Sequence, residues 1–172
     1  MIEKSNIQKV LAFFFKYPTK ETYLRELSRM LQLSMPTILG AVKKLKQEDL
    51  VQVKHGKALT SVKANMENQL FIRMKRVHNL EQLYASGLVN FLITACKRPR
   101  AIICFGSYAR GDDIETSDID IALIGGQEPK LNLDGYILKF NRQISLHYIF
   151  LSKISDDFKA NLCNGIILEG AL

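Results

Sequence analysis

The sequence predicts an α+β protein in three parts: a helical unit closed by a hairpin, a helical connector, and a strand-rich unit, over residues 1–64, 65–97 and 98–172. Three observations predict it. Apolar residues recur at helical spacing through much of 6–47 and again through 64–97. Short runs at 50–54, 58–63, 101–105 and 143–150 alternate or are wholly apolar, as strands do. Charge divides as well: residues 1–100 carry 18 Lys and Arg against 7 Asp and Glu, whereas residues 101–172 carry 6 against 10. A basic front and an acidic back suit polyanion contact in one part and cation binding in the other.

In order along the chain, residues 6–16 place Ile7, Val10, Leu11 and Phe14 on one helical face, and Tyr17-Pro18 ends the run. Residues 21–31 repeat the pattern with Leu24, Leu27, Met30 and Leu31. Ser34 is placed to cap a third helix that opens with Met35-Pro36 and runs to Gln47, burying Ile38, Val42 and Leu45. Two short strands follow, joined by a turn at His55-Gly56-Lys57. The stretch 64–97 lacks proline and reads as one long helix or as two broken near Ser86-Gly87. Its apolar spacing near 3.5 residues suits a homodimer seam, interrupted by Glu81.

No apolar run reaches the ~18 residues of a membrane span, and Met1-Ile2-Glu3-Lys4-Ser5-Asn6 lacks the layout of a leader. Cys96, Cys104 and Cys163 have no metal-ligand spacing and fit reduced thiols. A cytoplasmic protein without membrane partners is expected.

The three helices and basic hairpin resemble the winged helix-turn-helix fold of many prokaryotic transcription regulators. Tyr23-Leu24-Arg25-Glu26-Leu27 followed by Ser34-Met35-Pro36-Thr37 is similar to that family's scaffold helix and the entry to its recognition helix. The resemblance implies DNA as a partner. Small or polar groups at a helix start reach base edges, and basic groups anchor phosphates. Ser34, Thr37, Lys43 and Lys44 would act from the recognition helix, with Lys54, His55 and Lys57 in the wing. Lys44 fits a solvated helix face equally well, His55 fits a turn filler, and winged helices also serve as protein-docking modules.

The C-terminal unit carries Phe105-Gly106-Ser107-Tyr108-Ala109-Arg110-Gly111 and then Ser117-Asp118-Ile119-Asp120-Ile121. Residues two apart in a strand share a face, so Asp118 and Asp120 project together while Ile119, Ile121 and Leu123 turn to the core. Paired carboxylates suit a hard divalent cation, and a glycine-serine turn lets phosphates approach backbone N–H groups. Gly106-Ser107, a ten-residue gap and Asp118-x-Asp120 resemble the signature of the DNA polymerase beta nucleotidyltransferase superfamily, in its minimal branch. The resemblance spans about residues 88–172.

It implies a nucleotidyltransferase fold, a mixed sheet flanked by helices, with a nucleoside triphosphate (ATP above all) as substrate and Mg²⁺ as cofactor. Gly106, Ser107 and Arg110 would bind nucleotide, while Asp118 and Asp120 would bind the metal and be catalytic. Arg110 fits either phosphate contact or an ion pair with Asp112 or Asp113. The family's third carboxylate, from a later strand, is missing: Ser145 falls at its place, with His147 two residues on. Asp112, Asp113 and Glu115 are expected in a solvated loop, and Gly125-Gly126 and Leu133-Asp134-Gly135 as loop punctuation. A helix capped by Ser152 or Ser155 and an edge strand with Glu169 exposed would complete the unit. The implied activity is transfer of a nucleotide monophosphate to a hydroxyl, on a small molecule or on a protein such as a cognate toxin. The alternatives are a regulator that senses ATP with little or no turnover, and an interaction scaffold.

Overall fold

The computed structural model describes residues 5–56, 59–150 and 154–171. It is a mixed α+β structure that separates by contacts into two compact units, Met1–Lys75 and Arg76–Leu172.

In the first unit, α1 (Asn6–Lys16) is started by a capping box in which Ser5 and Gln8 satisfy each other's backbone N–H groups. Then come β1 (Thr22–Tyr23), α2 (Leu24–Leu31) and α3 (Met35–Gln47). Residues 21–23 were expected in the second helix. Instead Thr22 and Tyr23 pair with Val62 and Ser61 of the hairpin, and α2 begins at Leu24. Ser34 caps α3, accepting from the Thr37 N–H, with Pro36 in the first turn, where its missing N–H costs nothing. The hairpin of β2 (Val51–His55) and β3 (Thr60–Ala64) completes an antiparallel sheet of order β1-β3-β2. Val10, Phe14, Leu27, Ile38, Val62 and Phe71 close this unit's core.

The helical stretch is broken where expected: α4 (Gln69–Ser86) stops at Gly87, whose φ of 84° is a left-handed conformation, and α5 (Leu88–Ala95) follows. No helix among the described residues is long and apolar enough to cross a membrane.

The second unit is built on a four-stranded mixed sheet of order β6-β5-β4-β7. Its elements are β4 (Ala101–Phe105), α6 (Gly106–Arg110), β5 (Ile119–Ile124), α7 (Asp134–Phe140), β6 (Ile144–Ile149), α8 (Asp156–Cys163) and β7 (Ile166–Gly170). β4 runs antiparallel to β5 and β7, whereas β5 and β6 are parallel. Both sheet faces are covered, which is why β4 is buried at every position. One face packs Ile102, Cys104, Ile119, Ile121 and Leu123 with Leu88 and Leu92 of α5. The other packs Ile103, Phe105, Ala122 and Ile124 with Leu162 and Phe158 of α8.

Two loop expectations are corrected. Leu133-Asp134-Gly135 opens α7, which forms because Tyr136, Ile137 and Phe140 pack on the core. Asp113 is buried by an ion pair, as described below. Ser155 caps α8, accepting from the Phe158 N–H, while Ser152 lies outside the described residues.

Candidate active site

β4 delivers the chain to the centre of the sheet, and α6 starts at once with Gly106. The preceding residue is Phe105, which has no side-chain acceptor for the first N–H groups of that turn. Gly106 has φ of 72°, and a Cβ there would lie 2.7 Å from Asp120 Oδ2. The left-handed backbone favours glycine, and the lack of a Cβ leaves room for that carboxylate where it stands.

Asp118 directly precedes β5 and Asp120 is its second residue, facing Phe105 across the antiparallel pair. Asp118 is exposed and Asp120 half-buried, whereas Ile119, Ile121 and Leu123 are fully buried on the opposite face. β6 lies beside β5 with Ser145 in register with Asp120. The Ser145 hydroxyl donates to Asp118 Oδ2 at 3.3 Å, and His147 Nε2 lies 3.2 Å from Asp120 Oδ1. β6 contains no Asp or Glu, and the groups it sets beside the two carboxylates are the Ser145 hydroxyl and the His147 imidazole. The His147 ring packs against Phe105 and Phe158 at centroid distances of 5.1 and 6.3 Å.

Arg110 ends α6 and pairs with Asp112, Nε to Oδ2 at 3.0 Å. Both side chains are about half exposed, so the pair is weak and exchangeable. Asp113 is different. Its side chain is wholly buried, bound by Arg142 Nη2 at 2.8 Å and by Asn79 Nδ2 at 2.8 Å. Arg142 also donates to the carbonyls of Ile114 and Ser117 and lies over the Tyr108 ring. This network fixes the loop that delivers Asp118. Sequence reasoning missed it, because the partners lie far apart in the chain and nothing local marks them.

Burial, with the charges of Asp120 and Asp113 behind it, pushes the Cys104 thiol up to about 12. That keeps it protonated and non-nucleophilic in the core on the sheet face opposite Asp118 and Asp120. Burial likewise raises Tyr108, and Asp113 adds to the shift. Among the described residues no three His, Cys, Asp or Glu side chains are grouped to hold a metal ion by themselves. Two carboxylates nevertheless suit Mg²⁺, which is commonly held by one or two protein acids together with substrate phosphates.

Residues 89–167 match the nucleotidyltransferase domain. That interval runs from α5 into β7 and contains Gly106, Ser107, Asp118, Asp120, Ser145 and His147. Two proteins of Methanocaldococcus jannaschii, provisionally named protein adenylyltransferases MJ1305 and MJ0141, are 44% and 42% identical over 50 residues each. Each match covers 29% of this chain, and spans 33% of the first relative and 50% of the second. No solved structure matches the chain. The domain match and these relatives support nucleotidyltransferase-type chemistry for the C-terminal unit.

In the first unit, Ser34 is exposed as the N-cap of α3, Lys43 and Lys44 are exposed on α3, and Lys54 and His55 are exposed on β2. Thr37 is half-buried, and its hydroxyl is 2.8 Å from that of Ser34. His55 Nδ1 lies 3.4 Å from Thr60 Oγ1 across the hairpin. Lys57 lies outside the described residues.

Proposed function

We propose that this protein transfers a nucleotide monophosphate, AMP foremost, from ATP to a hydroxyl of a protein acceptor, with release of pyrophosphate. The observation that carries the reading is the meeting of Gly106 with Asp120 Oδ2, which puts a carboxylate against a glycine-serine turn inside the nucleotidyltransferase match. The Ser107 N–H and hydroxyl would hold terminal phosphate oxygens, and Arg110 would leave Asp112 to contact phosphate. Asp118 and Asp120 would hold Mg²⁺. A bound cation there would neutralise phosphate charge as the acceptor hydroxyl gives its proton to solvent, its oxygen bonds to the α-phosphorus and the bond to pyrophosphate breaks. The names of the relatives favour a protein acceptor; a cognate toxin is one such partner.

The test is label transfer with α-labelled and γ-labelled ATP, Mg²⁺ and a soluble protein extract. Covalent label from the α position only, absent with Asp118→Asn/Asp120→Asn, is expected. ATP binding without any α-label transfer would favour the second reading, an ATP-sensing regulator with little turnover. The specific observation behind that reading is Ser145 in register with Asp120 where the family supplies an acid.

The first unit is proposed as a winged helix-turn-helix DNA reader over 1–64, joined by helices of 65–97 to the transferase over 98–172. Three helices and a sheet of order β1-β3-β2, with α3 opening on Ser34 and exposing Lys43 and Lys44, support it. Lys54, His55 and Lys57 would contact phosphate from the hairpin. Anisotropy titrations with duplex DNA should show the log–log salt slope shrinking by about 1 for each of Lys43→Ala and Lys44→Ala. Absence of DNA binding at low salt would remove this part of the proposal. A protein that reads DNA in this way works most often as a homodimer, and in the cytoplasm.

A further inference from the structure

We infer that Ser145 and His147 are positioning residues that together orient Asp118 and Asp120 for a divalent cation, in place of a third acid. The inference rests on the reading of residues 106–120 as a metal–nucleotide site.

The assignment of donors is one to one. Because β6 runs parallel to β5 with Ser145 opposite Asp120, alternate side chains of the two strands project from the same sheet face. Ser145 Oγ meets Asp118 Oδ2 at 3.3 Å, and His147 Nε2 meets Asp120 Oδ1 at 3.2 Å. Each contact engages one oxygen of its carboxylate. On Asp120 the other oxygen, Oδ2, is the one that lies against the Gly106 position. His147 therefore turns Asp120 so that its second oxygen faces the glycine-serine turn where phosphate would bind.

His147 is itself held. Its ring is clasped by Phe105, whose edge-on contact is 5.1 Å between centroids, and by Phe158 of α8. The side chain is 38% exposed and that of Asp120 30%. The pair is thus part-way out of water, where a hydrogen bond orients a ligand without removing it from reach of an ion. Outer partners of metal ligands act in this way: they fix ligand orientation, and their loss costs affinity rather than fold. Neither a hydroxyl nor an imidazole adds negative charge, so this site holds its cation with two carboxylates and depends more on their alignment than a three-acid site does.

The test is Mn²⁺ binding to the full-length protein, read from the free-ion electron paramagnetic resonance signal, with and without a non-hydrolysable ATP analogue. Variants are Ser145→Ala, His147→Ala, Asp120→Asn, and the donor-retaining Ser145→Thr and His147→Gln. Both alanine variants should lose about 10-fold or more in Mn²⁺ affinity, and threonine and glutamine should restore most of it. Two results overturn the inference while leaving the metal site standing. One is alanine variants that bind as the wild type does although Asp120→Asn binds weakly. The other is donor-retaining variants as weak as the alanines, which would make packing the cause. A wild type that binds no Mn²⁺, or an Asp120→Asn variant that binds normally, would overturn the site reading and this inference with it.

Discussion

Asp113 and the pair Asp118 and Asp120 sit within one short stretch of chain, yet their surroundings differ. Asp113 is wholly buried and is neutralised by Arg142, itself only 6% exposed, with Asn79 as a further donor. Asp118 is exposed and Asp120 half-buried, and among the described residues each meets one hydroxyl or imidazole. A carboxylate bound by a buried guanidinium has its charge consumed by the fold. One held by a lone hydrogen bond keeps charge and lone pairs for a ligand. The comparison separates acids that build the loop from acids that the loop presents.

The largest effect should come from breaking the buried pair. Arg142→Ala strands the Asp113 charge and should cost about 3–5 kcal/mol in urea unfolding, while Asp118→Asn should stay within about 0.5 kcal/mol of wild type. Equal losses in the two variants would erase the distinction. Next in size is Gly106→Ala, which forces a side chain to φ of 72° and a methyl group toward Asp120 Oδ2. It should cost roughly 1–3 kcal/mol and weaken ATP binding; unchanged binding would show that the close approach is incidental.

Smaller effects follow from the groups behind the site. Cys104 and Tyr108 hold their protons more tightly in the fold than in the unfolded chain, whose ordinary values are 9.0 and 10.0. Their contribution is fully present below about pH 9 and is lost as pH rises toward about 12 for Cys104. The urea midpoint should therefore be level near neutrality and fall above pH 9, less steeply in Tyr108→Phe. An identical fall in that variant would assign the alkaline loss to other groups. The smallest effect is chemical. Cys163 is exposed while Cys96 and Cys104 are buried with raised thiol pKa values. Ellman's reagent should modify Cys163 promptly in the native protein and the other two only on unfolding; rapid native reaction of Cys104 would contradict its burial.

What could be read from sequence follows the range of the interaction. α1 was legible from the helical spacing of Ile7, Val10, Leu11 and Phe14, and α3 from Ser34, which caps it with a local bond. β1 was not, since two residues become a strand only by pairing with Val62 and Ser61. α7 was hidden by Asp134-Gly135, a turn signal overridden by packing of Tyr136 and Phe140. Within the site, Gly106 and the alternating Asp118 and Asp120 were visible as spacing. The bonds from Ser145 and His147 required the parallel register of β5 and β6, and the Asp113–Arg142 pair has no local signature.

The central claim is that Gly106, Ser107, Asp118 and Asp120 form one site for ATP and a divalent cation. Its most direct test is calorimetric titration of ATP, with and without Mg²⁺, into the wild type and Asp118→Asn/Asp120→Asn. Mg²⁺-dependent binding to the wild type is expected, lost in the double variant while its unfolding midpoint is retained. Binding that is equal in the two proteins, or absent from the wild type, would contradict it.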